Sequence, residues 1–267
     1  MSKQNVYDNQ ELFDNYARLR EKKENANLLI EMPAILSLFP NLEGKTVLDL
    51  GCGQGDHCFQ FVSLGAKKVV GIDISEKMIK LARTINAHEK ITYQKIAMED
   101  IKSLNEQFDI IASSLAFHYV KDLSLLLIDL HQLLKENGFL LFSQEHPLAT
   151  TFDDSHVTRW EKDNRGNKIS ARVRDYCREG KRLTKWFDVE IIKYHRTFAT
   201  IVNELVDTGF MIERVVEPVP DEDIMERYPE YRDNYLRPDF LIIKAKKISW
   251  DKLSKSSLKE NDYKKTI

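Results

Sequence analysis

A short segment near residue 50 combines glycines and acidic residues in a spacing suited to nucleoside binding. Val47-Leu-Asp-Leu-Gly-Cys-Gly-Gln-Gly-Asp56 begins as an apolar strand with an acidic residue, Asp49, near its end. Glycines follow at alternate positions, where the absent Cβ lets the chain turn tightly and a ligand approach the backbone. They are Gly51, Gly53 and Gly55. A second apolar strand ends in Asp73, whose carboxylate can accept two hydrogen bonds from a ribose diol. The pattern predicts a nucleoside site at the carboxyl edge of a parallel sheet.

The spacing separates three kinds of nucleotide site. A P-loop requires GxxxxGK[ST], but Phe39 occupies the position of the first glycine before Gly44-Lys45-Thr46, and that segment precedes a strand. A dinucleotide site requires GxGxxG, whereas Gly55 follows Gly53 too closely and Asp56 would repel a pyrophosphate. The ligand that remains has a nucleoside, no phosphate and a positively charged amino-acid end. S-adenosylmethionine (SAM) has these properties.

Several motifs between about residues 40 and 145 resemble those of class I SAM-dependent methyltransferases. Asp49-Leu-Gly-Cys-Gly-Gln-Gly resembles their glycine motif, Asp73 the acidic end of their second strand, and Ser75-Glu-Lys-Met78 the helix start after it. The resemblance implies an α/β fold with a doubly wound, seven-stranded, mostly parallel Rossmann-like sheet. It also implies SAM as cofactor and S-adenosylhomocysteine (SAH) as product. Within the family, the chain is similar to bacterial small-molecule methyltransferases.

The resemblance further implies a set of cofactor-binding residues. They are Asp49, Gly51, Cys52, Gly53, Gly55, Asp73, Ile74, Met78, Met98, Glu99, Ser114, Leu115, Tyr16 and Arg18. Family members often have Asp where this chain has Ala97, so we assign adenine recognition to the Met98 backbone or to Glu99. Tyr16 and Arg18 belong to a predicted N-terminal helix that folds over the cofactor in similar proteins. An ordinary solvated helix with aromatic anchors explains them equally well.

Two histidines are candidates for catalysis because each follows a predicted strand at the edge where the methyl donor is expected. His118 follows the fourth strand and His146 the fifth. Either could bind the acceptor or act as a general base, and either could be a histidine bonded within its own loop. The predicted acceptor-binding residues are Tyr7, His118, His146, Trp186, His195 and Arg196. Methyl transfer from a sulfonium is an in-line displacement, which needs a base only for a protonated, weakly acidic nucleophile.

Alternating strands and helices must position these residues. Apolar strands are predicted over residues 45–50, 68–74, 91–97, 108–115 and 139–143, with helices over 56–64, 75–86 and 123–135. Asn137-Gly138 is predicted to cap the last of these helices. Fully apolar strands that alternate with helices indicate a parallel sheet covered on both faces.

The rest of the chain divides around this core, the SAM-binding segment 41–147. Residues 1–40 are predicted as a helical cap, 148–196 as a β-meander lid, 197–247 as the completion of the sheet and 248–267 as a polar tail. The stretch from Arg159 to Arg196 holds twelve Lys and Arg against six Asp and Glu. Such an excess is usually a solvated face, but it could attract an anionic acceptor.

The amino-acid composition of the chain argues against several classes of protein. With 40 Lys+Arg against 42 Asp+Glu, the net charge of −2 gives no reason to expect a nucleic-acid or membrane partner. The most apolar stretch, residues 123–142, is interrupted by charges, and the polar N-terminus does not resemble a signal peptide. Three cysteines without a CxxC pair argue against a disulfide scaffold or zinc site and favour the cytoplasm. We therefore predict a small-molecule methyltransferase, monomeric or homodimeric and without a metal. A non-catalytic SAM-binding module and a NAD-type oxidoreductase remain open alternatives.

Overall fold

A central β-sheet organises the computed structural model, which describes residues 4–21, 24–152 and 158–249. The strands are β1 Thr46–Leu50, β2 Lys68–Asp73, β3 Ile91–Lys95, β4 Phe108–Ser113, β5 Leu134–Glu145, β6 Trp160–Lys162, β7 Lys168–Ala171, β8 Gly180–Trp186, β9 Val189–His195, β10 Phe210–Val216 and β11 Phe240–Lys247. Seven of them form one sheet in the order β10-β11-β5-β4-β1-β2-β3. The pairs among β1 to β5 are parallel, and β11 is antiparallel to both of its neighbours. The predicted doubly wound, mostly parallel sheet is confirmed.

Seven α-helices lie in the described chain. They are α1 Gln10–Glu21, α2 Met32–Ser37, α3 Asp56–Ser63, α4 Glu76–Ile85, α5 Leu123–Leu133, α6 Phe198–Asp207 and α7 Glu222–Arg227, with a π-helical turn at Asn27–Glu31 before α2. Side chains cap four of them, because the oxygens of Asn9, Ser75, Asp122 and Thr197 accept hydrogen bonds from backbone N–H groups of the first turn. Helix α7 was not predicted. The predicted polar tail lies outside the described residues from position 250 onward.

Both faces of the sheet are buried, which explains the unbroken apolar strands. Leu48 and Leu50 of β1 pack in one hydrophobic cluster with Leu127 of α5. Val47, whose side chain points to the other face, belongs to a second cluster with Phe61 of α3. The two layers hold the carboxyl ends of β1, β2, β4 and β5 at one edge, where the predicted site residues follow.

The predicted end of α5 is wrong. The helix stops at Leu133, and Leu134 already pairs with Phe108 of β4 as the first residue of β5. Asn137 does adopt a left-handed conformation (φ 63°), but it lies within the span of β5 instead of capping a helix. Parallel pairing with a buried strand therefore outweighs the local signal for a helix cap.

The predicted lid forms two separate hairpins instead of one meander. Strands β6 and β7 pair with each other, and β8 pairs only with β9. The second hairpin turns at Phe187-Asp188, where both residues have positive φ (48° and 60°), as a two-residue type I′ turn requires. None of the helices in the described ranges is long and apolar enough to span a membrane.

Candidate active site

A cavity of about 950 Å³ opens at the carboxyl edge of the sheet. Its walls come from the glycine loop after β1, the N-terminal segment, the β8–β9 hairpin and the loops after β4 and β5. Most of the predicted site residues line it: Tyr7, Tyr16, Asp49, Gly51, Cys52, Gly53, Asp73, Ile74, Met78, Met98, Glu99, Ser114, Leu115, His118 and Trp186. The fold thus gathers residues from positions 7 to 186 into one space.

The glycine loop is held in a conformation that suits glycine at each alternate position. Gly51, Gly53 and Gly55 all have left-handed φ values of 68°, 52° and 87°. A Cβ on Gly51 would lie only 2.8 Å from Cβ of Ala116. The backbone N–H of Gly53 donates to Oδ2 of Asp73 at 3.0 Å, which ties the loop to the end of β2. The missing side chains of Gly51 and Gly53 leave space beside the loop backbone that a ligand can occupy.

Two buried carboxylates, Asp49 and Asp73, lie beside this loop. Oδ1 of Asp73 accepts the Ser75 N–H at 2.8 Å, and Oδ2 of Asp49 accepts the Cys58 S–H at 3.2 Å. Burial raises the pKa of Asp49 to about 7 and that of Asp73 to about 6, and nearby carboxylates add to the rise in both. A ligand with hydroxyl donors and positive charge would stabilise both ionised groups. This end of the cavity, the cofactor end, therefore fits SAM.

Aromatic side chains join the N-terminal segment to the lid across the cavity. Tyr7, Tyr16 and Trp186 make three edge-to-face contacts, with ring centroids 5.2, 6.5 and 5.9 Å apart. The Gln4 side chain also bonds the backbone of Ile192 in β9, donating to its carbonyl at 3.0 Å and accepting its N–H at 2.6 Å. The N-terminal segment and the β8–β9 hairpin thus cover the cavity together.

His118 is a buried, neutral lining residue. Its Nδ1 accepts the backbone N–H of Glu145 at 3.3 Å, so the neutral ring carries its proton on Nε2. The pKa of His118 is lowered to about 4, mainly by burial and also by the positive charges of Lys193 and Arg196, against the pull of Glu145. The ring can donate a hydrogen bond at Nε2. It is poorly suited to the predicted role of general base.

A charged cluster beside His118 was missed by the sequence analysis. Lys193 Nζ lies 2.5 Å from Oε1 of Glu145, and both line the cavity with Tyr119 and Arg159. Burial alone would raise the pKa of Glu145, but Lys193 outweighs it and the pKa falls to about 2. We call His118, Tyr119, Glu145, Arg159 and Lys193 the acceptor end. The basic stretch from Arg159 to Arg196 includes two of these residues and Glu145 follows a predicted core strand, but no local signal brings them together.

Three predicted acceptor-binding residues lie outside the cavity wall. His146 has Nε2 2.8 Å from Oε1 of Glu217, while its Nδ1 accepts the Leu148 N–H. The ring nitrogens of His195 lie 2.8 Å from Thr150 Oγ1 and from the Tyr176 carbonyl. Arg196 donates to the carbonyls of Val120 and Lys121. These local partners hold all three side chains, so their positions do not support the predicted contacts with substrate or the catalytic role of His146.

Two predicted cofactor-binding residues also lie outside the lining. Arg18 is exposed on α1, and its Nη1 is 3.4 Å from Oδ1 of Asn15 in the preceding turn. Gly55 is the N-cap of α3, and its N–H donates to the Cys52 carbonyl at 2.9 Å. Gly55 shapes the loop without reaching the cavity, and Arg18 is on the solvent side of its helix.

The chain belongs to the methyltransferase-domain family, whose sequence pattern matches residues 41–198. An uncharacterized protein from Haemophilus influenzae is 40% identical over 253 residues, which cover 92% of this chain and 98% of that protein. The crystal structure of an S-adenosylmethionine-dependent methyltransferase from Mesorhizobium loti is 34% identical, with a TM-score of 0.74, and covers 86% of this chain and 100% of the other.

A more distant structure shares the fold alone. Magnesium protoporphyrin IX methyltransferase from Synechocystis, crystallised with bound SAM, is 18% identical with a TM-score of 0.56 over 91% of this chain and 94% of the other. Together, the family, the closer structure and the cofactor end of the cavity identify a SAM-dependent methyltransferase. The predicted family, enzyme class and cofactor are confirmed, and the NAD-type oxidoreductase is set aside.

Proposed function

We propose that the enzyme methylates a small molecule bound at the acceptor end, by in-line displacement inside the cavity. The observation that carries the proposal is a single covered cavity with two chemically different ends. Its volume of about 950 Å³ is near the top of the range of roughly 300–1,000 Å³ for small-molecule sites. It has room for a nucleoside cofactor and a second small ligand.

At the cofactor end, we assign each polar group of the protein to the part of SAM that it would bind. We assign the ribose hydroxyls to Asp73 and the ammonium group to Asp49, because both carboxylates are buried and line the cavity. The main chain of Gly51 and Gly53 would contact the amino-acid portion. Met98 or Glu99, after β3, would contact adenine. When bound, SAM would supply the methyl group from its sulfonium, and its sulfur would keep the electron pair of the broken bond.

The protein's part in the transfer is orientation and exclusion of water. Tyr7, Tyr16 and Trp186 cover the cavity, and His118 offers an N–H donor to position the acceptor. Holding the nucleophile in line with the methyl carbon can supply about 7–11 kcal/mol of the barrier. The low pKa values of His118 and Glu145 make both poor proton acceptors, so the proposal favours a nucleophile that is already ionised or lone-pair bearing.

The cover over the cavity favours a small molecule over a protein or nucleic-acid acceptor. The test is transfer of tritiated methyl from SAM to a bacterial extract separated into low-mass metabolites, protein and RNA. We expect label in the low-mass fraction. Label in macromolecules only would overturn the small-molecule acceptor, and tight SAM binding without transfer to any fraction would support a non-catalytic module.

Calorimetric titration with SAM, SAH and NAD provides the matching binding test. We expect binding of SAM and SAH without NAD. Asp73→Ala should lose this binding and the transfer together, because the ribose would lose its acceptor. Asp207→Ala, at an exposed position on α6, is the control and should change neither.

A further inference from the structure

One cation at the acceptor end has no anionic partner of its own. Lys193 is neutralised by Glu145 at 2.5 Å, and His118 is neutral. Arg159 remains, half-buried in the cavity wall. The acceptor end therefore holds two cations against one carboxylate, an excess of one positive charge.

The guanidinium of Arg159 is positioned but not ion-paired. Its Cζ lies 5.8 Å from the ring centroid of Phe152, and its backbone carbonyl accepts the Arg172 N–H at 3.0 Å. Across the described segments of the chain, no hydrogen bond or ion pair engages its side chain. This contrasts with the neighbouring cations, since Lys168 pairs with Asp233 and Arg237 with Asp239.

The electrostatic surroundings of Arg159 leave it in need of a counter-charge. Burial lowers its pKa, Arg237 lowers it further, and only the carboxylate of Glu145, already engaged by Lys193, acts in the opposite direction. A half-buried guanidinium in this setting is stabilised by an anion that enters the cavity. Its planar fork matches a carboxylate through two parallel hydrogen bonds.

We propose that the methyl acceptor is a small carboxylic acid whose carboxylate pairs with the guanidinium of Arg159. The proposal rests on the proposed function, since it names the class of small molecule that the acceptor end takes. A single excess positive charge suits a singly charged carboxylate better than a doubly charged phosphate. Arg159 is then a specificity-determining residue that orients the acceptor toward the methyl group.

Ligand-detected NMR on the SAH-saturated protein tests this without knowledge of the natural acceptor. The probes are benzoate and hexanoate, their amides, and phenyl and hexyl phosphate. We expect each acid to bind about ten- to hundred-fold more tightly than its amide, the range for a hydrogen bond to a charged group, and more tightly than its phosphate. Arg159→Gln should reduce the affinity for each acid to that for its amide. Arg159→Lys should lose only part of the difference in affinity between acid and amide.

The control is Arg172→Gln, which makes the same charge change at an exposed position of the lid outside the cavity wall. It should leave the preference for acids intact. Unchanged SAH affinity in Arg159→Gln would show that the variant is folded. Equal affinity for acids and amides, tighter binding of phosphates, or an acid preference that survives Arg159→Gln would each overturn the carboxylate proposal.

The labelling experiment separates this proposal from the function it rests on. Label in uncharged metabolites, together with equal binding of acids and amides, would overturn the carboxylate and leave the small-molecule acceptor standing. Label confined to macromolecules would overturn the small-molecule acceptor itself. Label in low-mass acids that disappears in Arg159→Gln would support both.

Discussion

At the scale of single residues, the tautomer of His118 determines what this side chain can do. Because Nδ1 accepts the Glu145 N–H, a proton taken from the acceptor would have to displace the one on Nε2 or break that bond. The residue is therefore a donor in our proposal. A glutamine side chain can donate in the same way and cannot act as a base.

We predict that His118→Gln keeps turnover within a few-fold of the wild type, whereas His118→Ala loses about three- to ten-fold, the effect of one neutral hydrogen bond. Loss of a general base would cost about 10²- to 10⁴-fold in both variants. The measurement is kcat with the acceptor identified by the labelling screen, together with an NMR titration of the His118 ring. A ring pKa near 7 or a 10³-fold loss in the glutamine variant would contradict the assignment.

Neighbouring residues at the end of β5 show why residue-scale prediction went partly wrong. The sequence suggested His146, yet Glu145 lines the cavity and His146 bonds Glu217. Successive side chains of an extended strand point to opposite sides, so an error of one position selects the wrong residue. A single sequence does not determine to which side each of these two side chains points. By contrast, Asp49 and Asp73 were located because glycine spacing and strand ends are local signals.

At the scale of elements, the loop between β1 and α3 depends on Gly55 for two reasons that can be separated. Its φ of +87° is strained for any L side chain, and a Cβ there would collide with the Tyr93 side chain. Gly166, at the tip of the β6–β7 hairpin, has nearly the same φ of +86°, but a Cβ there would meet no atom within 4 Å.

We predict that Gly166→Ala lowers the free energy of unfolding by about 1 kcal/mol, the cost of the left-handed conformation alone. Gly55→Ala should lose about 1–3 kcal/mol more, because overpacking adds to that strain, and should weaken SAM binding through the displaced loop. Urea unfolding and calorimetry measure both. Equal losses in the two variants would mean that Tyr93 moves aside freely and that only the backbone conformation matters.

Trp186, at the end of β8, joins the β8–β9 hairpin to the N-terminal segment over the cavity, beside the hydrogen bonds between Gln4 and Ile192. Edge-to-face aromatic pairs contribute about 0.5–1.5 kcal/mol each, and Trp186 makes two with Tyr7 and Tyr16. We predict that Trp186→Ala releases SAH about five- to hundred-fold faster, whereas Trp186→Phe releases it only a few-fold faster. Stopped-flow displacement measures the rate, and an unchanged rate in the alanine variant would rule out a covering role.

Elements with local signals were predicted well, and those decided by distant partners were not. The apolar runs of β1, β2 and β4 gave their positions almost to the residue, because both of their faces are buried. The first two residues of β5, Leu134 and Lys135, were assigned to a helix, because only the pairing with β4 makes this segment a strand. The sequence indicated where the lid lies in the chain, but it did not indicate that the lid forms two hairpins. Its half-exposed strands carry no signal for which other strand each one pairs with.

At the scale of the whole molecule, a nearly neutral chain places opposite charges at the two ends of one cavity. The formal net charge is −2, yet the cofactor end holds two buried carboxylates and the acceptor end an unpaired guanidinium. The sequence indicated both signs, through the acidic strand ends and the basic excess of the lid, but it could not indicate the pairing of residues such as Glu145 and Lys193, which are far apart in the chain. The cofactor end also affects stability, because burial raises the pKa values of both of its carboxylates in the ligand-free protein.

The contribution of Asp49 to stability and the stabilisation that SAM adds should therefore change with pH in opposite directions. Asp49 has a folded pKa of about 7 against an ordinary value of 3.8, so between about pH 4 and 7 the folded state holds a proton that the unfolded state has released. The contribution of Asp49 to the free energy of unfolding of the ligand-free protein then falls as pH rises through this window, and Asp73 adds to the fall up to about pH 6. His118, whose folded pKa of about 4 lies below its ordinary value of 6.5, contributes in the opposite direction, so the effect of Asp49 is measured as the difference between the wild type and a variant without this carboxylate. A bound cation favours the ionised carboxylates, so SAM should stabilise the protein more at pH 7.5 than at pH 5.5.

We predict that Asp49→Asn raises the free energy of unfolding of the ligand-free protein at pH 7.5 by about 1–3 kcal/mol, because the cost of a buried charge is removed. The same variant should bind SAM more weakly and lose most of the pH dependence of that binding. Urea unfolding at pH 5.5 and 7.5, with and without SAM, measures all three effects, and Asp207→Asn at its exposed position is the matched control. A stability difference between Asp49→Asn and the ligand-free wild type that does not grow from pH 5.5 to 7.5, or an asparagine variant that is less stable yet binds SAM normally, would show that Asp49 is held by the fold and does not face the cofactor. The predicted combination of a more stable protein and a weaker site would mark Asp49 as a charge kept for its ligand at the expense of the fold.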